Sequence, residues 1–94
     1  MFEINIVDDG LVKLSGRLDA AQAERAKAAL KTINHSTTAD LTDLDYISSA
    51  GLGVIVETYK RLHDAGHSLR LIHLNPRIRS VFVYAVLDKV LLIE

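Results

Sequence analysis

The chain opens with an alternation of apolar and polar residues, FEINI over residues 2–6, which is the period of a half-buried strand. Asp9-Gly10 follows and offers a favoured two-residue hairpin loop, because both residue types tolerate positive φ. The pattern therefore predicts an antiparallel hairpin, in which a second strand from Leu11 to Ser15 runs back along the first and ends at Gly16.

Three later segments carry apolar residues at the spacing of amphipathic helices. Asp19 lies three residues before Gln22, so the two side chains can cap the first turn of the first helix. Asn75-Pro76 begins the third helix, with a capping side chain followed by proline at the first helical position. The apolar stripes of the three helices are Ala20, Ala23, Ala26, Leu30 and Ile33; Leu52, Ile55, Val56, Tyr59 and Leu62; and Ile78, Val81, Phe82 and Ala85.

Further strands are predicted at Thr37 to Leu44, where the pattern is weakest, at Ser68 to Leu74, and at Val90 to Ile93. The element order is therefore β-β-α-β-α-β-α-β within a single domain of residues 1–94. Because each helix has one apolar stripe, we expect a mixed α/β sheet with the three helices packed on one face. His73 shares a face of the fourth strand with two leucines and is expected to be half-buried in the core.

Composition and charge narrow the possible functions. The 94 residues are 49% hydrophobic and 24% charged, as in a folded globular domain. Eleven basic and 12 acidic residues give a net charge of −1, which argues against nucleic-acid binding through bulk charge. No apolar run approaches the roughly 18 residues of a membrane span, so we expect no membrane insertion and a cytoplasmic location. The chain has no cysteine and no obvious metal-ligand cluster, and we expect neither a metal nor a cofactor.

The most informative segment is YISSAGLGVI, Tyr46 to Ile55, which joins the third strand to the second helix. Ser48 and Ser49 stand at a helix start, and the simplest interpretation is that they cap its unpaired amides. Phosphorylation of one serine is the second interpretation, since a phosphate adds about −1.5 to −2 charge that a helix N-terminus stabilises. Gly51 and Gly53 remove side chains from the first turn, which would let another protein's backbone approach closely.

On this segment the chain resembles the STAS domains and, more narrowly, the bacterial anti-sigma factor antagonists. The hairpin, residues 15–19 (SGRLD) and residues 71–76 (LIHLNP) extend the resemblance over nearly the whole chain. In that family the serine two residues before the first glycine of the segment is phosphorylated, which here is Ser49. Ser48 stands where many members carry aspartate, and it is the alternative acceptor. The resemblance implies a phospho-switchable binding module with no catalysis of its own.

The resemblance also implies the partners and their regulation. The kinase is the anti-sigma factor itself, a serine kinase, and a metal-dependent serine phosphatase reverses the modification. Unphosphorylated antagonist binds the anti-sigma factor and frees the sigma factor, so that transcription is regulated by partner switching. Asp19, Asp43 and Asp45 would form an acidic rim that, together with phosphate, opposes an acidic partner surface. The residues expected to contact the partner are Asp19, Ser48, Ser49, Gly51 and Gly53.

Two other functions remain open. A STAS domain can be a subunit of a larger assembly such as a lipid-transport ATPase complex, in which Ser49 need not be phosphorylated. A small-ligand or nucleotide sensor could use the turn at Gly51–Gly53, although the third glycine of a nucleotide-binding loop is absent. Enzyme activity is not expected, because the Gly-x-Ser-x-Gly pattern of serine hydrolases is missing around Ser49.

Overall fold

The computed structural model describes residues 1–8 and 10–94, and in that part of the chain a single five-stranded sheet has the order β1-β2-β3-β4-β5. β1 is antiparallel to β2, and the other neighbours are parallel. The predicted β-β-α-β-α-β-α-β order and the mixed sheet are confirmed. The strands are β1 Phe2–Asp8, β2 Leu11–Leu18, β3 Thr37–Ile47, β4 Leu69–Ile72 and β5 Leu92–Ile93. The helices are α1 Ala23–Leu30, α2 Ser49–Asp64 and α3 Pro76–Tyr84, with single 3-10 turns at Ala20–Gln22 and Leu87–Lys89.

The central strand β3 differs most from the sequence prediction. Its propensity pattern is the weakest in the chain, yet at 11 residues it is the longest strand. Parallel pairing with β2 on one side and β4 on the other supplies the backbone bonds, so tertiary context overrides a poor local preference. β4 and β5 are shorter than predicted, because the chain leaves the sheet after Ile72 and a 3-10 turn precedes β5.

Gly16 does not end the second strand as predicted. β2 continues to Leu18, and Gly16 lies inside it with φ of 82°, beside a register shift in the pairing with β3. Any side chain at Gly16 would collide with the Met1 carbonyl, so only glycine fits where β2 passes the start of β1. Of the predicted hairpin loop, Asp9 lies outside the described residues, and Gly10 has φ of 95°.

The sheet has one buried face and one open face. Val12, Leu14, Ala39 and Leu71 are at most 2% exposed and lie under the three helices, as predicted. The helices contribute Ala26, Leu30, Ile55, Leu62, Ile78 and Phe82 to this core. The open face carries the residues that alternate with the buried ones, namely Lys13, Ser15, Asp40, Thr42 and Arg70. No helix in the described part of the chain is long and apolar enough to cross a membrane.

The carboxyl ends of the parallel strands β2, β3 and β4 lie along one edge of the sheet, which we call the carboxyl edge. A helical segment starts there after each strand, capped by Asp19, Ser48 and Asn75 respectively. Asn75 accepts a hydrogen bond from the Ile78 N–H at 2.9 Å and donates one to the Leu44 carbonyl at 3.0 Å. These two contacts fix the start of α3 relative to the sheet.

Candidate functional site

Ser48 is the N-cap of α2. Its Oγ accepts a hydrogen bond from the Gly51 N–H at 3.1 Å, and its extended backbone has φ of −87° and ψ of 172°. The Ser48 N–H donates to the Leu18 carbonyl at 2.9 Å, which ties the helix start to the end of β2. The hydroxyl of Ser48 is therefore engaged in holding the helix, as the capping interpretation requires.

Ser49 occupies the first helical position and is in a different situation. The residue is exposed, and its hydroxyl has no hydrogen-bonding partner among residues 1–8 and 10–94. Capping therefore accounts for Ser48 and not for Ser49. The geometry leaves the Ser49 Oγ facing solvent at the positive end of a 16-residue helix, where an added anion is stabilised.

The two glycines of the segment serve different purposes. Gly51 is buried, and a Cβ there would lie 2.8 Å from Leu18 Cγ and 2.9 Å from Ile47 Cγ1. The expectation that Gly51 opens the first turn to a partner is wrong, because its missing side chain lets α2 pack on the sheet. Gly53 is exposed, and a Cβ there would meet nothing within 4 Å. Both glycines lie in α2 itself, so they do not form the open turn that a ligand sensor would use.

Asp19 adjoins the serines at the carboxyl edge. Its Oδ1 accepts from the Gln22 N–H at 3.2 Å, which confirms the predicted cap, although the Gln22 side chain instead accepts from Arg25 at 3.1 Å. The last register pair of β2 and β3 is Leu18 with Ile47, so Asp19 and Ser48 leave adjacent strands at the same level.

The predicted acidic rim is mixed in charge. Asp43 and Asp45 lie within β3 rather than in a loop, and Asp43 pairs with Ser15 on the open face, away from the end of the strand. Asp45 shares a depression with Arg77 at the start of α3. Of the three carboxylates, Asp19 is the one that the strand register places at the level of the serines, and Asp45 shares its depression with a cation.

A shallow groove runs along the exposed side of α2 from Ser49. Its volume is about 470 Å³ and its walls are mainly apolar. Sequence reasoning missed the contribution of Ala85 and Leu87, because only the tertiary structure brings the C-terminal segment beside α2. The lining residues are Ser49, Leu52, Gly53, Val56, Glu57, Lys60, Ala85 and Leu87. Ser49 thus stands at one end of an accessible surface that a protein partner could cover.

A polar cluster lies on the open face, where sequence reasoning expected none. His73 is exposed, so the prediction of a half-buried core histidine is wrong: it follows β4 with φ of 60° and its Nδ1 lies 3.2 Å from Asp40 Oδ1. The Thr42 hydroxyl donates to Asp40 at 2.5 Å. This hydroxyl bond is the largest cause that lowers the pKa of Asp40, and the Thr42 N–H and His73 add to it.

Comparison with known proteins places the chain in a family. A family model described as "Mlab, STAS domain" matches residues 6–94, and the chain belongs to the STAS domain family. BtrV of Bordetella bronchiseptica, named as an anti-sigma factor antagonist, is 38% identical over 73 residues, which cover 73% of this chain. The chain spans 63% of the length of that relative.

Two further proteins are similar. The anti-sigma-B factor antagonist of Listeria monocytogenes is 31% identical over 85 residues, covering 86% of this chain and 75% of the relative. The structure of the Bacillus cell fate determinant SpoIIAA in its phosphorylated form superposes with a TM-score of 0.72 over all of this chain and 91% of SpoIIAA. Sequence identity with SpoIIAA is 20%, so this likeness concerns the fold.

Proposed function

We propose that this chain is an anti-sigma factor antagonist in the cytoplasm whose binding to an anti-sigma factor serine kinase is switched by phosphorylation of Ser49. One observation carries the assignment: of the two adjacent serines, Ser48 is used as the helix cap, and Ser49 is exposed with no partner for its hydroxyl among the described residues. The names of the two curated relatives supply the class of partner. Ser48, the alternative acceptor, would have to give up its bond to Gly51 first.

Phosphorylation at this position is compatible with the folded domain. A phosphate at the first helical position meets the positive end of the α2 dipole and the free amides of its first turn. The added charge of about −1.5 to −2 therefore leaves α2 in place and changes the electrostatics and hydration of the surface around it. The switch then acts on the partner interface rather than on the fold.

Release of the partner follows from charge and desolvation. The phosphate would add to the negative charge of Asp19 at the carboxyl edge, so negative charge accumulates where the partner must dock. A buried phosphate also has to shed its hydration on binding. A coupling of about 1–3 kcal/mol between phosphorylation and binding gives a 5–150-fold change in affinity, which suffices for a switch.

The test uses each purified anti-sigma factor kinase encoded in the same genome. With ATP, we expect wild-type protein to gain the mass of one phosphoryl group and to dissociate, whereas Ser49→Ala gains none and stays bound. Ser48→Gly is the matched control, because glycine at an N-cap costs only a few tenths of a kcal/mol relative to serine. Phosphate on Ser49→Ala, or its loss from Ser48→Gly, would assign the acceptor to Ser48.

The reverse reaction gives an independent check. A metal-dependent serine phosphatase from the same cell should remove the phosphate from the modified protein and restore binding to the kinase. Chelation of the divalent metal should block this recovery without affecting the unmodified complex.

A second candidate is a STAS subunit of a larger assembly. The apolar groove beside Ser49 favours it, because such a surface suits a permanent protein contact. In that case, Ser49→Ala would co-purify with its assembly as the wild type does, and ATP would leave the mass of the protein unchanged.

A further inference from the structure

Arg17 and Tyr46 form an exposed pair beside the proposed phosphorylation site. The Arg17 guanidinium lies 4.3 Å from the centre of the Tyr46 ring, and Tyr46 is 38% exposed. Among the described residues the guanidinium has no hydrogen-bond acceptor and no ion pair. Its planar set of N–H donors is therefore held by the ring and points to solvent unused.

This pair is continuous with the Ser48–Ser49 turn. Arg17 pairs with Tyr46 across β2 and β3, directly before the last pair, Leu18 with Ile47. The Ser48 N–H then donates to the Leu18 carbonyl at 2.9 Å. Arg17 and Tyr46 thus lie on the open-face side of the carboxyl edge, about one residue step from the helix cap.

We propose that the Arg17–Tyr46 pair is a specificity-determining anchor that binds a carboxylate of the anti-sigma factor kinase. The inference rests on the proposed function and names a second contact in the same interface. A guanidinium stacked on an aromatic ring is pre-organised to bind a carboxylate through two parallel hydrogen bonds. Tyrosine and arginine are also the residue types that most often dominate binding energy at protein interfaces.

The anchor also explains why phosphorylation would release this partner. In the unmodified protein, Arg17 offers a positive charge to the partner's carboxylate at the edge where Ser49 lies. A phosphate on Ser49 repels that carboxylate and competes for the same guanidinium. The same carboxylate of the partner is thus attracted by the unphosphorylated protein and repelled by the phosphorylated protein.

The experiment measures the affinity of the unphosphorylated protein for the purified kinase that binds the wild type, by titration calorimetry. We expect Arg17→Ala to weaken binding about tenfold or more, Arg17→Glu to weaken it further, and Arg17→Lys to fall between Arg17→Ala and wild type. Tyr46→Phe keeps the ring face and should bind within about twofold of wild type, whereas Tyr46→Ala should lose about as much as Arg17→Ala. Thermal melting of each variant establishes that it is folded.

Lys13→Ala is the matched control. Lys13 is an exposed cation on the same face of the same strand, paired with Asp40 and about 13 Å from Arg17 along β2. Equal losses from Lys13→Ala and Arg17→Ala would indicate a general charge effect and overturn the anchor. The anchor would also be overturned if Arg17→Ala or Arg17→Lys bound the kinase with wild-type affinity while the complex of Ser49→Ala still resisted release by ATP. If the wild type binds no anti-sigma factor kinase, the proposed function and the anchor fail together.

Discussion

The two ends of α2 are built in different ways. At its C-terminal end, Arg61 donates to the carbonyls of Ile33 at 2.8 Å and Leu30 at 2.9 Å, so one guanidinium binds the carbonyls at the end of α1. At its N-terminal end, Ser48 caps the helix, but the next side chain, Ser49, has no partner within the described chain.

The two ends of α2 distinguish polar side chains that stabilise the fold from polar side chains that are available to bind another molecule. Arg61 and Ser48 satisfy backbone groups that would otherwise lack partners, and the stability of the domain depends on them. Ser49 and Arg17 satisfy nothing within the described chain and are free to bind something else. A surface polar group without an internal partner is no evidence of function by itself, but two of them at one sheet edge define a place to test.

The largest change in the stability of the domain is expected for substitutions where α2 packs on the sheet. Gly51→Ala places a Cβ at 2.8–2.9 Å from atoms of Leu18 and Ile47, which forces the helix start outward and should destabilise the domain by about 1–3 kcal/mol. Gly53→Ala meets nothing within 4 Å and should stabilise it by about 0.5–1 kcal/mol. Urea unfolding of the two variants measures both changes in the free energy of unfolding. Changes of the same sign would contradict the different roles assigned to the two glycines.

The next largest change in stability is expected at the C-terminal end of α2. Arg61→Met keeps much of the aliphatic stem and removes the bonds to the Leu30 and Ile33 carbonyls, so the free energy of unfolding should fall by about 2 kcal/mol. Lys60→Met, at the exposed neighbouring position, should change it by no more than about 0.5 kcal/mol. Similar values for the two variants in chemical denaturation would show that the Arg61 bonds add nothing to stability.

A smaller effect distinguishes the adjacent serines. Ser48→Ala removes the cap and should cost about 1 kcal/mol, because the Gly51 N–H loses its acceptor. Ser49→Ala should change stability by less than about 0.5 kcal/mol, since the Ser49 hydroxyl has no partner in the described part of the chain. Thermal unfolding followed by circular dichroism measures both, and a loss at Ser49 equal to that at Ser48 would contradict the comparison.

The smallest effect lies on the open face and depends on pH. Hydrogen bonds from Thr42 and His73 lower the pKa of Asp40 below its ordinary value of 3.8, so the ionised form stabilises the folded state. This stabilisation is present above pH 3.8 and is lost as the pH falls through the lowered value. Asp40→Asn should therefore lose less stability than wild type on acidification, measured as urea midpoints. Equal losses of stability in wild type and Asp40→Asn on acidification would contradict this expectation.

Local pattern was sufficient for most elements of the fold. Alternation predicted β1, helical spacing predicted the three helices, and the caps Asp19 and Asn75 were found at the expected positions. The failures share one cause. β3, Gly16 and His73 have conformations set by neighbouring strands and by a register shift, and neither leaves a period in the sequence.

For the candidate site, too, the sequence predicted some features and left others to the tertiary structure. The segment YISSAGLGVI located the start of α2, because two adjacent serines are suited to cap a helix. Residue spacing predicted the same capping role for both serines. It also predicted that both glycines let a partner's backbone approach closely. It gave no reason to single out Arg17, since the register that stacks it on Tyr46 is a property of the paired strands.

The sequence by itself determined the order of elements and the helix starts, because capping and periodicity act over a few neighbouring residues. Only the tertiary structure decided which of the two serine hydroxyls has a partner among the described residues. It also showed that Gly51 is buried and Gly53 open, and that Arg17 is stacked on Tyr46. Those properties depend on which surfaces meet across the sheet, and contacts between residues distant in the chain set them.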